Sequence, residues 1–165
     1  MKDKEVKKLV MAAMFVALAV ALSPLSIQVG TAKCFPVQHL VNVMTSFLLG
    51  PLYSVGAAFT TSLIRVLLGT GTLLAFPGSM AGALLAGLAY LYTKKLWAAC
   101  VGETIGTGVI GALLAYPVAA LLMGKEVSLF TFFIPFLIST VGGSIIAFVM
   151  LSSIKKLGIM EALDS

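Results

Sequence analysis

Two long stretches of this sequence are nearly free of charge. Leu96 to Met123 carries one charged residue, Glu103, and Leu129 to Ile154 carries none. Each exceeds the roughly 20 apolar residues that cross a bilayer core. A soluble globule must present charge to water and has little room for two such stretches. The 165 residues are 60% hydrophobic and only 10% charged, well below the roughly 25% charge of soluble domains. The same composition excludes a disordered chain, which needs low hydrophobicity and high charge. The natural solvent is a bilayer, and the expected fold class is an all-α membrane bundle.

Breaks in the apolar pattern divide the chain. Ser23-Pro24, Gly50-Pro51 and the Gly69–Pro77 segment are turn signals. Spans are expected at about 9–22, 37–49, 52–68, 78–92, 96–123 and 129–154, within one integral membrane domain over 1–165. Six helices use about 120 residues, so no extramembrane domain fits. Lysines mark the gaps, and basic residues favour cytoplasmic loops. With the N-terminus inside, Lys2, Lys4, Lys7, Lys8, Lys94, Lys95, Lys155 and Lys156 fall on the inner side, and Lys33 and Lys125 on the outer. Both termini are therefore expected to be cytoplasmic, in a multi-pass protein of the cell membrane.

The chemistry within the bundle is sparse. No GxxxxGK[ST] string cradles a nucleotide, no HExxH binds a metal, and Cys34 and Cys100 form no CxxC pair. Glu103 is the lone carboxylate within the spans, so neither catalysis nor a metal is expected. Ionisable groups inside a membrane are functional candidates, and here they are His39, Arg65 and Glu103. Gln38, His39 and Asn42 enter the second span together, and either meet a polar ligand or bond between helices. Arg65 and Glu103 either form a structural ion pair, or one of them faces a pocket. Thr107 lies one turn from Glu103 on the same face, and Tyr116 lies further along. Phe76, in a loop, is a candidate cover for a flat ring.

Small residues recur at spacings of four: Ala13, Ala17 and Ala21 on the first span, Gly78 and Gly82 on the fourth, Gly102 and Gly106 on the fifth. Such strips let helices approach closely. The glycine pairs are expected to be internal seams. The alanine strip packs inside the bundle or against another protein.

The strings Cys34-Phe-Pro-Val-Gln-His39, Leu67-Leu-Gly-Thr-Gly-Thr-Leu-Leu-Ala-Phe-Pro-Gly-Ser79 and Gly102-Glu-Thr-Ile-Gly-Thr-Gly108 resemble the ThiW family. These are substrate-binding (S) components of energy-coupling factor (ECF) vitamin transporters. The resemblance implies a six-helix S component that captures hydroxyethylthiazole, the thiazole precursor of thiamine, at the outer face. It implies a transmembrane coupling (T) protein and two cytoplasmic ATPase subunits as partners. Those subunits bind the ATP, and this chain needs no cofactor. It gives Ala13, Ala17 and Ala21 the role of docking strip on the coupling protein, and makes segments 24–36 and 69–77 gates. The candidate substrate residues are Gln38, His39, Asn42, Thr70, Thr72, Phe76, Ser79, Glu103, Thr107 and Tyr116. Phe76 or Tyr116 is expected to stack on the ring, and Gln38, His39 or Asn42 to meet its hydroxyl or nitrogen. The alternatives are an S component for thiamine or hydroxymethylpyrimidine, or a self-sufficient ion-coupled carrier.

Overall fold

The computed structural model describes residues 2–29 and 32–156. Among them are six helices: α1 Lys2–Ala21, α2 Pro36–Leu49, α3 Pro51–Leu67, α4 Ala75–Thr93, α5 Leu96–Leu122 and α6 Phe133–Lys156. The strands β1 Ile27–Val29 and β2 Ala32–Cys34 pair antiparallel between α1 and α2, with Gln28 opposite Lys33. Three helices, α4, α5 and α6, are long and apolar enough to cross a membrane.

Proline placement explains several boundaries. Pro36 and Pro51 open α2 and α3, while Pro77 and Pro135 lie in the first turns of α4 and α6. A first-turn N–H has no helical acceptor, so proline loses nothing there and its fixed φ suits the helix. For this reason α4 begins at Ala75, ahead of the expected start at 78. The turn at Gly50 needs φ +90°, a conformation that favours glycine, and it reverses the chain directly into Pro51. The last helix starts at Phe133 rather than 129, because residues 129–132 form turns.

Helix α5 is not uniformly α. Gly106–Gly111 and Val118–Leu122 are π-helical. The first π segment is rich in glycine, and the second directly follows Pro117. Such widened turns recur at functional sites.

Helix α2 packs on each of the other five described helices. Hydroxyls fasten it at depth. Ser54 Oγ of α3 lies 2.9 Å from Thr45 Oγ1 and accepts from Ser46 Oγ at 2.8 Å, and Ser46 also contacts the Ala83 carbonyl of α4. The glycine seams meet each other. A Cβ at Gly102 would stand 2.6 Å from the Leu85 carbonyl, and one at Gly106 2.6 Å from that of Ala81. Helices α4 and α5 thus touch backbone to backbone. The outer surface is apolar, with Leu52 at 83% and Leu121 at 81% exposure, the reverse of a water-facing surface and suited to lipid.

The two ends differ. At the Gly50–Pro51 end, Lys8 lies 5.8 Å from the Tyr53 ring and Lys155 lies 5.4 Å from that of Phe47. At the other end the strand pair, the 68–74 turn and the segment after α5 surround a cavity to which Lys33 and Lys125 contribute. Lys8 and Lys155 thus lie at the end opposite Lys33 and Lys125.

Candidate functional site

The cavity measures about 530 Å³, within the roughly 300–1,000 Å³ typical of small-molecule sites. Its walls come from the first turns of α2 (Gln38, His39), the end of α3 (Arg65), the start of α4 (Gly78, Ser79), the π segment of α5 (Thr107) and the start of α6 (Phe136, Ser139). The 69–72 turn and residues 125–127 close its sides. Ser23 Oγ donates to Thr70 Oγ1 at 3.2 Å, tying the end of α1 to the 69–72 turn.

Behind this wall lies a buried polar network centred on Glu103, which is fully buried. Three donors converge on its Oε1: His39 Nδ1 at 2.8 Å, Thr107 Oγ1 at 3.0 Å and Asn42 Nδ2 at 3.1 Å. A carboxylate oxygen accepts, so Nδ1 carries the proton of this bond, and Nε2 is the ring nitrogen outside it. Asn42 Nδ2 also donates to the Ser79 carbonyl at 3.0 Å, and Thr107 Oγ1 lies 3.0 Å from that of Gly78. Ser79 Oγ in turn lies 2.9 Å from Ser62 Oγ of α3. The absence of a side chain at Gly82 makes room for this carboxylate. A Cβ there would stand 2.6 Å from both Glu103 oxygens and closer still to Thr107 Oγ1.

Arg65 and Glu103 do not pair. Arg65 Nη1 donates to Gln38 Oε1 at 3.0 Å, and its guanidinium lies 3.7 Å from the centroid of the Phe35 ring. Gln38 Nε2 donates to Asn42 Oδ1 at 3.3 Å, and Asn42 donates onward to Glu103. Two amides thus stand between cation and carboxylate. Arg65 ends α3 at the cavity, whereas Glu103 faces α2 and α4 a layer deeper, so the amides fill the gap that a direct pair would have to cross.

Of the expected substrate residues, Gln38, His39, Thr70, Thr72, Ser79 and Thr107 line the cavity. Asn42 and Glu103 lie behind it and act on its lining. Phe76 and Tyr116 do not line it. Phe76 packs on Phe59, with ring centroids 5.5 Å apart, because α4 starts early enough to turn it onto α3. Tyr116 borders a separate surface depression with residues 124–127. The cavity's aromatic rings belong to Phe35, Phe132 and Phe136. The sequence held a signal for the first, which stands between Cys34 and Pro36 in a quoted motif. Phe132 and Phe136 are hidden in an apolar run with no periodic cue. Ser139, polar within that run, was the visible marker of its cavity face; it accepts the Phe35 N–H at 2.8 Å.

Cys34 is buried and donates to the Pro135 carbonyl at 3.0 Å. Burial pushes its thiol pKa up from the ordinary value. On α1, Ala13, Ala17 and Ala21 are exposed, whereas Ala12, Val16 and Ala19 face the bundle.

No curated protein and no solved structure matches the chain. The family model described as thiamine-precursor transporter protein (ThiW) matches residues 9–157, which takes in nearly all of the bundle and every cavity-lining residue. The chain belongs to the ThiW family of thiamine-precursor transporters, membrane proteins that carry a small molecule.

Proposed function

We propose that this chain is the substrate-binding S component of an ECF-type importer in the cytoplasmic membrane, with hydroxyethylthiazole as its ligand. The observation that carries the reading is His39, held by Glu103 with one ring nitrogen engaged and the ring at the cavity wall. Nε2 meets the ligand's hydroxyl. The flat ring lies among Phe35, Phe132 and Phe136. Ser139, whose Oγ already accepts from Phe35, gives its own proton to the ring nitrogen.

An outer-facing cavity is supported by the basic residues at the other end, which favour the cytoplasm. The strand pair and the 69–72 turn serve as gates. Passage inward requires the coupling protein and two ATPase subunits, which bind the ATP. The exposed strip of Ala13, Ala17 and Ala21 supports that docking, since small residues allow a partner helix close approach.

The test is calorimetric titration of the purified protein with hydroxyethylthiazole, thiamine and hydroxymethylpyrimidine. The thiazole alcohol is expected to bind tightest. Preference for either of the others would move the substrate while keeping the transporter class. Uptake by this chain in cells without the ATPase subunits would replace the S-component reading with an ion-coupled carrier.

A further inference from the structure

Arg65 has more donors than partners. It is 2% exposed, yet among the described residues the only hydrogen-bond partner of its guanidinium is Gln38, through Nη1. Nε and Nη2 are buried with no hydrogen-bond partner. These two atoms form one edge of the guanidinium plane, the fork that receives two oxygens of a carboxylate or phosphate. Among the described residues no carboxylate oxygen lies within 4.0 Å of an Arg65 nitrogen. A buried guanidinium without a counter-charge is costly, and Phe35 over its face offsets only part of that cost. The cavity adds Lys33 and Lys125 to its wall, against the one lining carboxylate of Glu126.

We propose that the cavity takes a ligand bearing an oxyanion, a carboxylate or a phosphate monoester on the small aromatic ring, and that the Nε/Nη2 edge of Arg65 receives it. This rests on the cavity being the substrate site proposed above and deepens that reading. The neutral alcohol named above still binds, and a derivative of the same ring that carries the oxyanion binds tighter. Nε and Nη2 are buried in the cavity wall, near Phe35 of the segment between β2 and α2, so the wall gives way locally for an oxyanion to reach them.

The experiment is calorimetric titration of the purified full-length protein with four pairs of probes. They are the thiazole alcohol against its phosphate monoester, the same alcohol against the corresponding thiazole carboxylate, and the matching two pairs built on the pyrimidine ring. The oxyanion member is expected to bind about tenfold to a hundredfold tighter, the range for a charge-assisted bond to a buried group. The phosphate and carboxylate arms say which oxyanion fits. Arg65→Gln is expected to abolish the preference, and Arg65→Lys to retain part of it by keeping the charge while losing the fork. The ratio in the unmodified protein decides the matter even if Arg65→Gln fails to fold. An alcohol that binds as tightly as its oxyanion partner overturns the proposal, whichever ring is preferred. A pyrimidine pair that outbinds the thiazole pair, with the oxyanion still favoured, overturns the substrate assignment and leaves the role of Arg65 standing.

Discussion

Arg65 and Glu103, the two buried charges at the heart of the bundle, are joined without touching. Arg65 donates to Gln38, Gln38 to Asn42, and Asn42 to Glu103, so every bond in the chain points from cation to carboxylate. Hydrogen bonds aligned head to tail polarise one another. The arrangement keeps the carboxylate supplied with donors while the fork of the guanidinium remains uncommitted. It also orients the side chains of Gln38 and His39 at the cavity wall.

Replacing the carboxylate tests that dependence. Glu103→Gln keeps the shape but brings an amide N–H among donors from His39, Asn42 and Thr107. Ligand affinity is expected to fall about tenfold or more, since a charge-assisted bond that fixes the imidazole is lost. Titration calorimetry reads the affinity, and circular dichroism checks that the helices persist. Unchanged affinity would remove Glu103 from any role in presenting His39.

Gly82 gives a packing test of the same site. Gly82→Ala places a methyl group against Glu103 and Thr107. The loss in stability is expected to be about 1–3 kcal/mol, the usual cost of overpacking a tight interior. A melting curve in detergent measures it. Gly56→Ala, where a Cβ meets nothing within 4 Å, is the control and should leave the melting temperature nearly unchanged.

The aromatic wall separates two sets of phenylalanines. Phe136→Ala is expected to weaken ligand binding about tenfold, through lost contact with the ring. Phe76→Leu removes a contact with Phe59 outside the cavity and should change affinity less than about twofold. A larger effect at Phe76 than at Phe136 would show that the ring lies elsewhere.

Substitutions on α1 test the proposed docking strip by comparing transport with binding. Ala17→Trp adds bulk to an exposed face and is expected to abolish uptake in cells while leaving titration curves of the purified protein unchanged. Ala12→Leu adds bulk to the buried face of the same helix and should lower the melting temperature. Loss of ligand binding in Ala17→Trp would contradict a docking role.

Thiol chemistry tests the strand pair. Cys34 is buried and its pKa is raised, so at neutral pH its thiolate fraction is below that of an exposed cysteine. Maleimide labelling in the folded state is expected to be slow, to quicken as pH rises, and to become fast on denaturation. Rapid labelling at pH 7 in the folded state would show that the β2–α6 contact opens.

Much of the site was legible in order but not in depth. Gln38, His39 and Asn42 stand out because polar side chains at the start of an apolar helix have few reasons to be there. Glu103 and Thr107 share a face by helical spacing, and the glycine pairs name their own seam. The aromatic lining was not legible, since Phe132 and Phe136 sit in a run where every residue is apolar and period carries no information. The partner of Arg65 was hidden for a related reason. Charge alone points to Glu103, while the amides that intervene belong to another helix.

The sequence by itself determined the solvent, the succession of helices and their proline-marked starts, because these follow from local hydrophobicity and backbone covalent geometry. Tertiary structure decided which polar groups face the cavity and which stand behind it. That choice depends on how closely α4 and α5 approach at their glycines and on where α2 lies between them, distances that no single segment encodes.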